Sequence, residues 1–499
     1  MRMKKLRMIG IVVAIAGLLV AAHLGISWGI GRYVENATQA QLEKLQAEAP
    51  YLKVISQSHQ TGLFNSTQEI VLGINSACFE NAPVVSDNTN AAPLTFTVHN
   101  RIQHGPIIFH GGLHFALVHE EGELILPPEI QSAVQDAFGK QPLLTWNGFL
   151  TYTGEHDLTL SSPSAKMFKP TGSLNWSGVQ GKITYSASSG AYSFKLQAPL
   201  LQANGNGPQG GQVNVEKIIF SGQGERGIAD LNLGSVAFTI DNVQVTSPMS
   251  GAGQLRNFKI QATSLANGEY VDLDEEIQVD QLAALGKQYG PLTYHFALNH
   301  LHAETLAQLG KAFQQVMCVK PSERDARLSE AMQTIKAQGI ALLNHKPELL
   351  LKQIHVALPE GEFHAQGHVN LPNFSAQAND GNDVLMAALV RGLDAEFEAS
   401  VAQSLVRQLT KQQMFGSVMQ RWMLEKKAAP SEQEMVELNA EVDHDLDQQM
   451  LAMRERKLVV ADGNNFKLQF KFVKGEATLN GAPFQSPIPL LTPPAAATQ

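Results

Sequence analysis

Four hundred and ninety-nine residues at 54.2 kDa exceed what one compact core organises, so two or three structural units are expected. Hydrophobic residues at 44% and charged residues at 17% exclude wholesale disorder. A net charge of −9 excludes general attraction to nucleic acid, and two cysteines exclude a disulfide-rich scaffold.

In chain order, Arg2, Lys4, Lys5 and Arg7 precede an uncharged run from Met8 to Gly31, with no acidic residue before Glu35. At about 1.5 Å of helical rise per residue, the run is long enough for a hydrocarbon core of about 30 Å. The basic flank places the N-terminus in the cytoplasm and the remaining chain on the opposite side. Trp28 and Tyr33 stand where interfacial aromatics belong. The alternative is a cleaved signal peptide, with an h-region from Ile9 to Ala22 and cleavage before His23. The apolar run continues through Leu24, Ile26, Trp28 and Ile30, which favours an uncleaved anchor. Either way the bulk of the protein is exported.

Glu35 to Gln46 reads as a short helix. From Lys53 to Val279 the period is two, as in Leu94 to Val98, Leu158 to Leu160, Tyr192 to Leu196 and Val236 to Ile240. Glycine, asparagine and serine punctuate these runs, the pattern of antiparallel strands joined by short turns. Ala303 to Met317 has helical spacing, with Leu306, Leu309, Phe313 and Val316 on one stripe, and Ser322 precedes a second helix that runs to about Leu343, with Asp325 in the capping-box position. Strands return at Ile354 to Leu358 and Phe363 to Leu371. Leu393 to Val401 alternates cleanly, with Leu393, Ala395, Phe397, Ala399 and Val401 on the buried face and Leu405 and Leu409 of the next helix as covering partners. A capped helix starts at Ser431 with Glu434 three residues on, and a hairpin, Phe466 to Val473 and Glu476 to Leu479, closes the fold.

The expected fold is α+β and predominantly antiparallel β, with one N-terminal transmembrane helix and an extended curved sheet carrying amphipathic helices in its C-terminal half. Its divisions are a basic tip and anchor (1–31), a β-rich region (32–280), a mixed region (281–486) and a disordered tail (487–499).

Gly205-x-Gly207-x-x-Gly210 and Gly222-x-Gly224-x-x-Gly227 match a dinucleotide fingerprint, but strand patterns follow both, so they are expected to be turns. Histidines gather at His99, His104, His110, His114 and His119. Were His110 and His114 on one strand, they would sit about 13 Å apart, too far for one zinc ion. They remain weak metal candidates, the expectation being separate side chains and no cofactor; His300 and His302 form a similar weak pair. Glu120-Glu121 and Asp443-x-Asp445-x-Asp447 read as solvated acidic faces. Whether Cys78 and Cys318 pair is left open by sequence alone.

Several stretches together resemble the YdgA-like family of bacterial envelope proteins, a family without an established function. They are the basic N-terminus and anchor, His59-Gln60-Thr61-Gly62-Leu63-Phe64-Asn65-Ser66, His104-Gly105-Pro106, Lys346-Pro347-Glu348 before a strand and its Glu360-Gly361-Glu362 turn, and Leu479-Asn480-Gly481-Ala482-Pro483-Phe484. The match is in order and covers nearly the whole chain; it departs at Thr61, where a basic residue is expected. The resemblance implies an inner-membrane-anchored periplasmic protein of a Gram-negative bacterium and brings no catalytic residues. Gly62, Gly105 and Gly481 read as turn glycines, and Phe64 as a core anchor.

The expected function is therefore non-enzymatic. The tethered periplasmic body would bind a lipid, an envelope protein or a second copy of itself along a sheet groove. The rival is a periplasmic hydrolase whose site includes His110 and His114. A dry apolar groove favours the first, and three converging polar side chains favour the second.

Overall fold

The computed structural model describes the chain except residues 1, 76–77, 79–93, 208–209, 250, 317–318, 320 and 485–499. The side chains of residues 2–20, 48, 129, 133, 315 and 321–325 lie outside the description as well. Strand occupies 50% of the chain and helix 30%, so the fold is α+β with antiparallel sheet predominating. It forms two compact units, Met1–Phe238 with Gln308–Ile335, and Thr239–Ala307 with Lys336–Gln499.

Unit 1 begins with α1 (Arg2–Glu48), one continuous helix rather than an anchor followed by a separate short helix. Among the described residues no helix is long and apolar enough to cross a membrane, which says nothing of strands. Residues 8–20, the larger part of the expected span, have side chains outside that description. The end of the apolar run is docked on protein. Ile30 packs with Ile102 and Val118, and the buried Ser27 hydroxyl donates to the Gly105 carbonyl.

Strands β1 (Leu52–Thr61), β2 (Asn65–Ile74) and β3 (Thr95–His104) form a meander. A small hairpin, β4 (Ile107–Phe109) and β5 (Leu113–Phe115), interrupts it before β6 (Val118–Ile125) pairs back onto β3. After α2 (Pro128–Phe138) come β7 (Leu144–Leu150), β8 (Glu155–Ser162), β9 (Ala165–Lys169), β10 (Gly172–Trp176), β11 (Val179–Ser186), β12 (Tyr192–Gly205) and β13 (Gln212–Arg226). The antiparallel order runs β1-β2-β3-β6-β7-β8-β11-β12-β13, with β9 and β10 hung on β12. β14 (Asn232–Ser247) crosses the boundary between units.

Unit 2 is a second antiparallel run: β15 (Gly251–Asn267), β16 (Tyr270–Ala284), β17 (Lys287–Tyr289), β18 (Leu292–His302), β19 (Glu348–Leu358) and β20 (Gly361–Asn370). Helices α3 (Ala303–Val316) and α4 (Pro321–Asn344) lie between β18 and β19 in sequence, and α5 (Asn382–Gly392) leads into β21 (Asp394–Ala402). Helices α6 (Gln403–Lys426) and α7 (Glu432–Glu455) precede β22 (Val460–Asp462), β23 (Asn465–Val473), β24 (Glu476–Leu479) and β25 (Ala482–Pro483). The Ser431 cap forms as expected, its hydroxyl accepting from the Glu434 N–H while the Glu434 carboxylate accepts from the Ser431 N–H. Leu438, Val442 and Leu446 recur every four residues and are the buried stripe of α7.

Four expectations need correction. Gly222 and Gly224 lie inside β13, not in a turn. A Cβ there would sit 2.7 Å from the Phe194 ring or 2.8 Å from the Tyr192 hydroxyl, so the missing side chains make room for aromatics on β12. Phe64 is exposed rather than a core anchor, stacking on His23 at 5.8 Å. Phe313 is exposed, because α3 buries its small residues Ala303 and Ala312 instead. Leu393 caps α5 outside β21, and Leu409 is exposed, leaving Leu405 as the buried residue of α6. The expected Asp325 cap and the tail 487–499 fall outside the described side chains and residues.

Candidate functional site

The strongest polar convergence lies in unit 1, where the β4–β5 hairpin folds over β6. Its turn is His110-Gly111-Gly112, with Gly111 at a φ of +64° and the His110 N–H donating to the Gly112 carbonyl at 3.0 Å. Alternation assigns the hairpin two faces. Ile108 is buried beneath it, whereas Phe109 (78% exposed), Leu113 and Phe115 point to solvent. A Cβ at Gly105 would stand 1.9 Å from the Ala116 carbonyl oxygen, so only glycine lets the two ends of the hairpin pass this closely.

His119 of β6 pairs in register with Gln103 of β3 and Phe149 of β7. It is 1% exposed. Its ring lies 3.9 Å from the His110 ring and 4.6 Å from that of Phe149. Neither of its nitrogens has a hydrogen-bond partner among the described residues. Glu121, two residues along the strand, brings a carboxylate oxygen to 3.6 Å from Nε2 of His110. One ligand atom from each of His110, His119 and Glu121 lies within 4.8 Å of the others. Burial, with the His110 ring adding to it, holds the His119 pKa below its usual 6.5. His119 is a neutral imidazole in a dry place.

The geometry first considered for His110 and His114 is therefore replaced. The two are not on one strand: His110 sits in the hairpin turn, while His114 stands on β5 and stacks on Phe149 at 4.5 Å. The other nearby histidines have separate partners. His99 meets Glu123 at 3.3 Å, His156 meets Glu120 at 3.4 Å, and buried His104 meets the Ser66 hydroxyl at 2.8 Å. Sequence reading missed the trio because His119 was not coupled to Glu121. Two signals pointed to it, the shared strand face of residues 119 and 121 and the Gly-Gly turn beside His110.

Unit 2 holds a second trio, His355 of β19 with Glu362 and His364 of β20, and a pocket of 710 Å³ on the same strands. The pocket spans β19 to β23; Lys352, His364, Glu398 and Gln469 line it beside Ile354 and Val460. Its lysines are already paired, Lys352 with Asp274 and Lys467 with Asp462. It is an amphipathic pocket rather than the dry groove that was expected. His300 and His302 part company, one stacking on Tyr270 at 3.6 Å and the other meeting the Thr305 hydroxyl at 2.7 Å. The Asp443 and Asp447 carboxylates bind Lys411 and Arg407 of α6, so that acidic run ties two helices together. Cys78 is disulfide-bonded; the one other cysteine in the sequence, Cys318, lies outside the described residues.

A family model described as "Bacterial protein of unknown function (DUF945)" matches residues 3–487. No curated protein and no solved structure matches the chain.

Proposed function

The chain belongs to the DUF945 family of bacterial proteins, and from that premise we propose a membrane-tethered envelope protein of the YdgA-like kind that acts by binding rather than by catalysis. The N-terminal run anchors it in the inner membrane, and the body lies in the periplasm. Two features support this placement: the basic flank before an apolar run of membrane-spanning length, and the disulfide at Cys78, a bond that persists in oxidising compartments.

The observation that carries the binding activity is the amphipathic pocket of unit 2. It sets the exposed side chain of Val460 beside Ile354 and a ring of polar groups, in which Lys352 and Lys467 pair with Asp274 and Asp462 and Glu398 accepts from Gln366 and Gln469. A strongly anionic ligand would have to break those pairs. A neutral or zwitterionic amphiphile, such as a phospholipid with an ethanolamine headgroup, gains apolar contact and hydrogen bonds without that cost.

The test is mass spectrometry of organic extracts from the full chain purified in detergent, wild type beside Val460→Arg. Val460 is exposed on a short edge strand, so the variant keeps its fold. Phospholipid retained by the wild type and depleted in the variant is the expected result. Equal lipid in both places it around the anchor alone and overturns the pocket reading. One observation favours the rival hydrolase, the convergence of His110, His119 and Glu121. Hydrolysis of ester or amide substrates by wild type, lost in His119→Leu, would replace binding with catalysis.

A further inference from the structure

We propose that His110, His119 and Glu121 form a binding site for a divalent transition-metal ion, with zinc the best match. The three donors are of the right chemistry, two imidazoles and a carboxylate, and their ligand atoms converge within 4.8 Å. Tetrahedral zinc with bonds of about 2.0–2.1 Å needs donors about 3.3 Å apart. His110 and Glu121 are already at 3.6 Å. The remaining closure falls on His110, which sits in a two-glycine turn.

Convergence alone would be weak ground, since exposed histidines and acids gather on many surfaces. The second observation is the state of His119. A neutral imidazole carries one N–H donor and one lone pair, and this ring satisfies neither while 99% of it is hidden from water. Leaving such groups bare in a dry place is costly. A metal ion takes up the lone pair directly. Glu121 supplies negative charge, and its half-open position leaves a coordination place for water or a further ligand.

All three residues belong to unit 1, so the site does not depend on the lipid pocket. Its consequence is mechanical. An ion held by His110 from the turn and by His119 and Glu121 from β6 clamps the hairpin onto the sheet. That fixes the direction of the opposite hairpin face, where Phe109, Leu113 and Phe115 are exposed.

The experiment uses the full chain, purified in detergent through a histidine-free tag, stripped with chelator and dialysed. Zinc is added, free metal is removed by gel filtration, and bound metal is counted; cobalt(II) absorption in parallel reports tetrahedral coordination. Near-stoichiometric zinc is expected. His119→Leu and Glu121→Gln should each weaken binding by about 100-fold or more, whereas His364→Ala in the second trio should leave it unchanged. Glu121→Gln alters only a surface side chain, so its loss of binding cannot be blamed on misfolding. Absence of retained zinc overturns the site, as does zinc that survives Glu121→Gln or that disappears with His364→Ala.

Discussion

The two histidine–carboxylate trios have the same composition and similar spacing, yet only one resembles a site in waiting. In unit 2, His355 and His364 are cross-strand neighbours stacked at 4.2 Å, and Glu362 already accepts from His364 at 3.0 Å with its own side chain 60% exposed. His355 is less well served: its Nε2 is buried without a hydrogen-bond partner among the described residues, 3.6 Å from the Glu362 carboxylate. In unit 1 the hairpin excludes water from His119 and offers nothing in exchange. The difference lies in the extent of desolvation, not in residue type: His119 is 1% exposed, whereas the His355 side chain is 18% exposed. Both nitrogens of His119 go without a partner, against one nitrogen of His355, and that one faces a carboxylate open to water.

The largest effect should come from disturbing the ground beneath the unit 1 trio. Gly122 follows Glu121 on β6, and a Cβ there would meet the Trp146 ring at 2.1 Å and the Asn100 side-chain oxygen at 2.3 Å. Gly122→Ala should destabilise unit 1 by about 3 kcal/mol. Glu362→Ala, which removes the exposed carboxylate of the other trio, should leave the stability of unit 2 nearly unchanged. Denaturation curves of the full chain check both. Similar costs would mean that the two trios rest on equally tolerant ground.

A contrast between dry and wet faces also runs along β21. Phe397 is half-buried over Gly367 of β20, where a Cβ would lie 2.3 Å from its ring, and it faces Phe470 of β23 in register. Glu398 is exposed and accepts from Gln366 and Gln469. Phe397→Ala should cost about 2 kcal/mol, less than the 3–5 of a fully buried ring, and Glu398→Ala about 0.5 kcal/mol or less. A larger loss at Glu398 would reverse the faces of the strand.

The third effect has the opposite sign. In chelator-treated protein, His119→Leu removes two unsatisfied nitrogens from a buried place and should stabilise unit 1 by about 1 kcal/mol. His364→Leu should change little. With zinc present the order inverts, because only the wild type gains from the ion. Thermal melts with and without zinc test this, and a destabilised His119→Leu in both conditions would show that its ring already has what it needs.

Alternation made most strands legible, including the alternating faces of β21 and the final hairpin, because a period of two survives any tertiary context. The Ser431 cap was legible for a similar reason, its partners being three residues apart. Glycine was harder to read. Gly222 and Gly224 looked like punctuation, yet their meaning depends on Phe194 and Tyr192 across the ladder, a relation set by register. The trio was hidden for the same reason. His110 and His119 are nine positions apart, and only the Gly111-Gly112 turn folds one ring onto the other. Local periodicity shows which side chains share a face; it does not show which ones lose water.

The smallest expected effect is a difference in acid sensitivity between the units. Burial holds His59 and His104 of unit 1 below the ordinary value of 6.5, and in unit 2 it does the same to His345, helped by the neighbouring His302. A histidine whose folded pKa is depressed takes up its proton first in the unfolded chain. Its contribution is whole above about pH 6.5 and is lost as pH falls towards the folded value. Glu362 behaves differently. The hydrogen bond from His364 lowers its pKa, so its contribution holds until pH falls below the ordinary 4.5. Between pH 7.5 and 5.5, unit 1 should therefore weaken more than unit 2. Trp146 of β7 and Trp422 of α6 report on them separately once the other tryptophans are changed to phenylalanine. The Trp146 denaturation midpoint should fall over that range and the Trp422 midpoint should fall less. Replacing His104 by Asn should flatten the Trp146 response, since the titrating ring beside Ser66 is gone. Equal falls at both tryptophans, or a His104→Asn profile as steep as wild type, would mean that desolvation does not separate the two units.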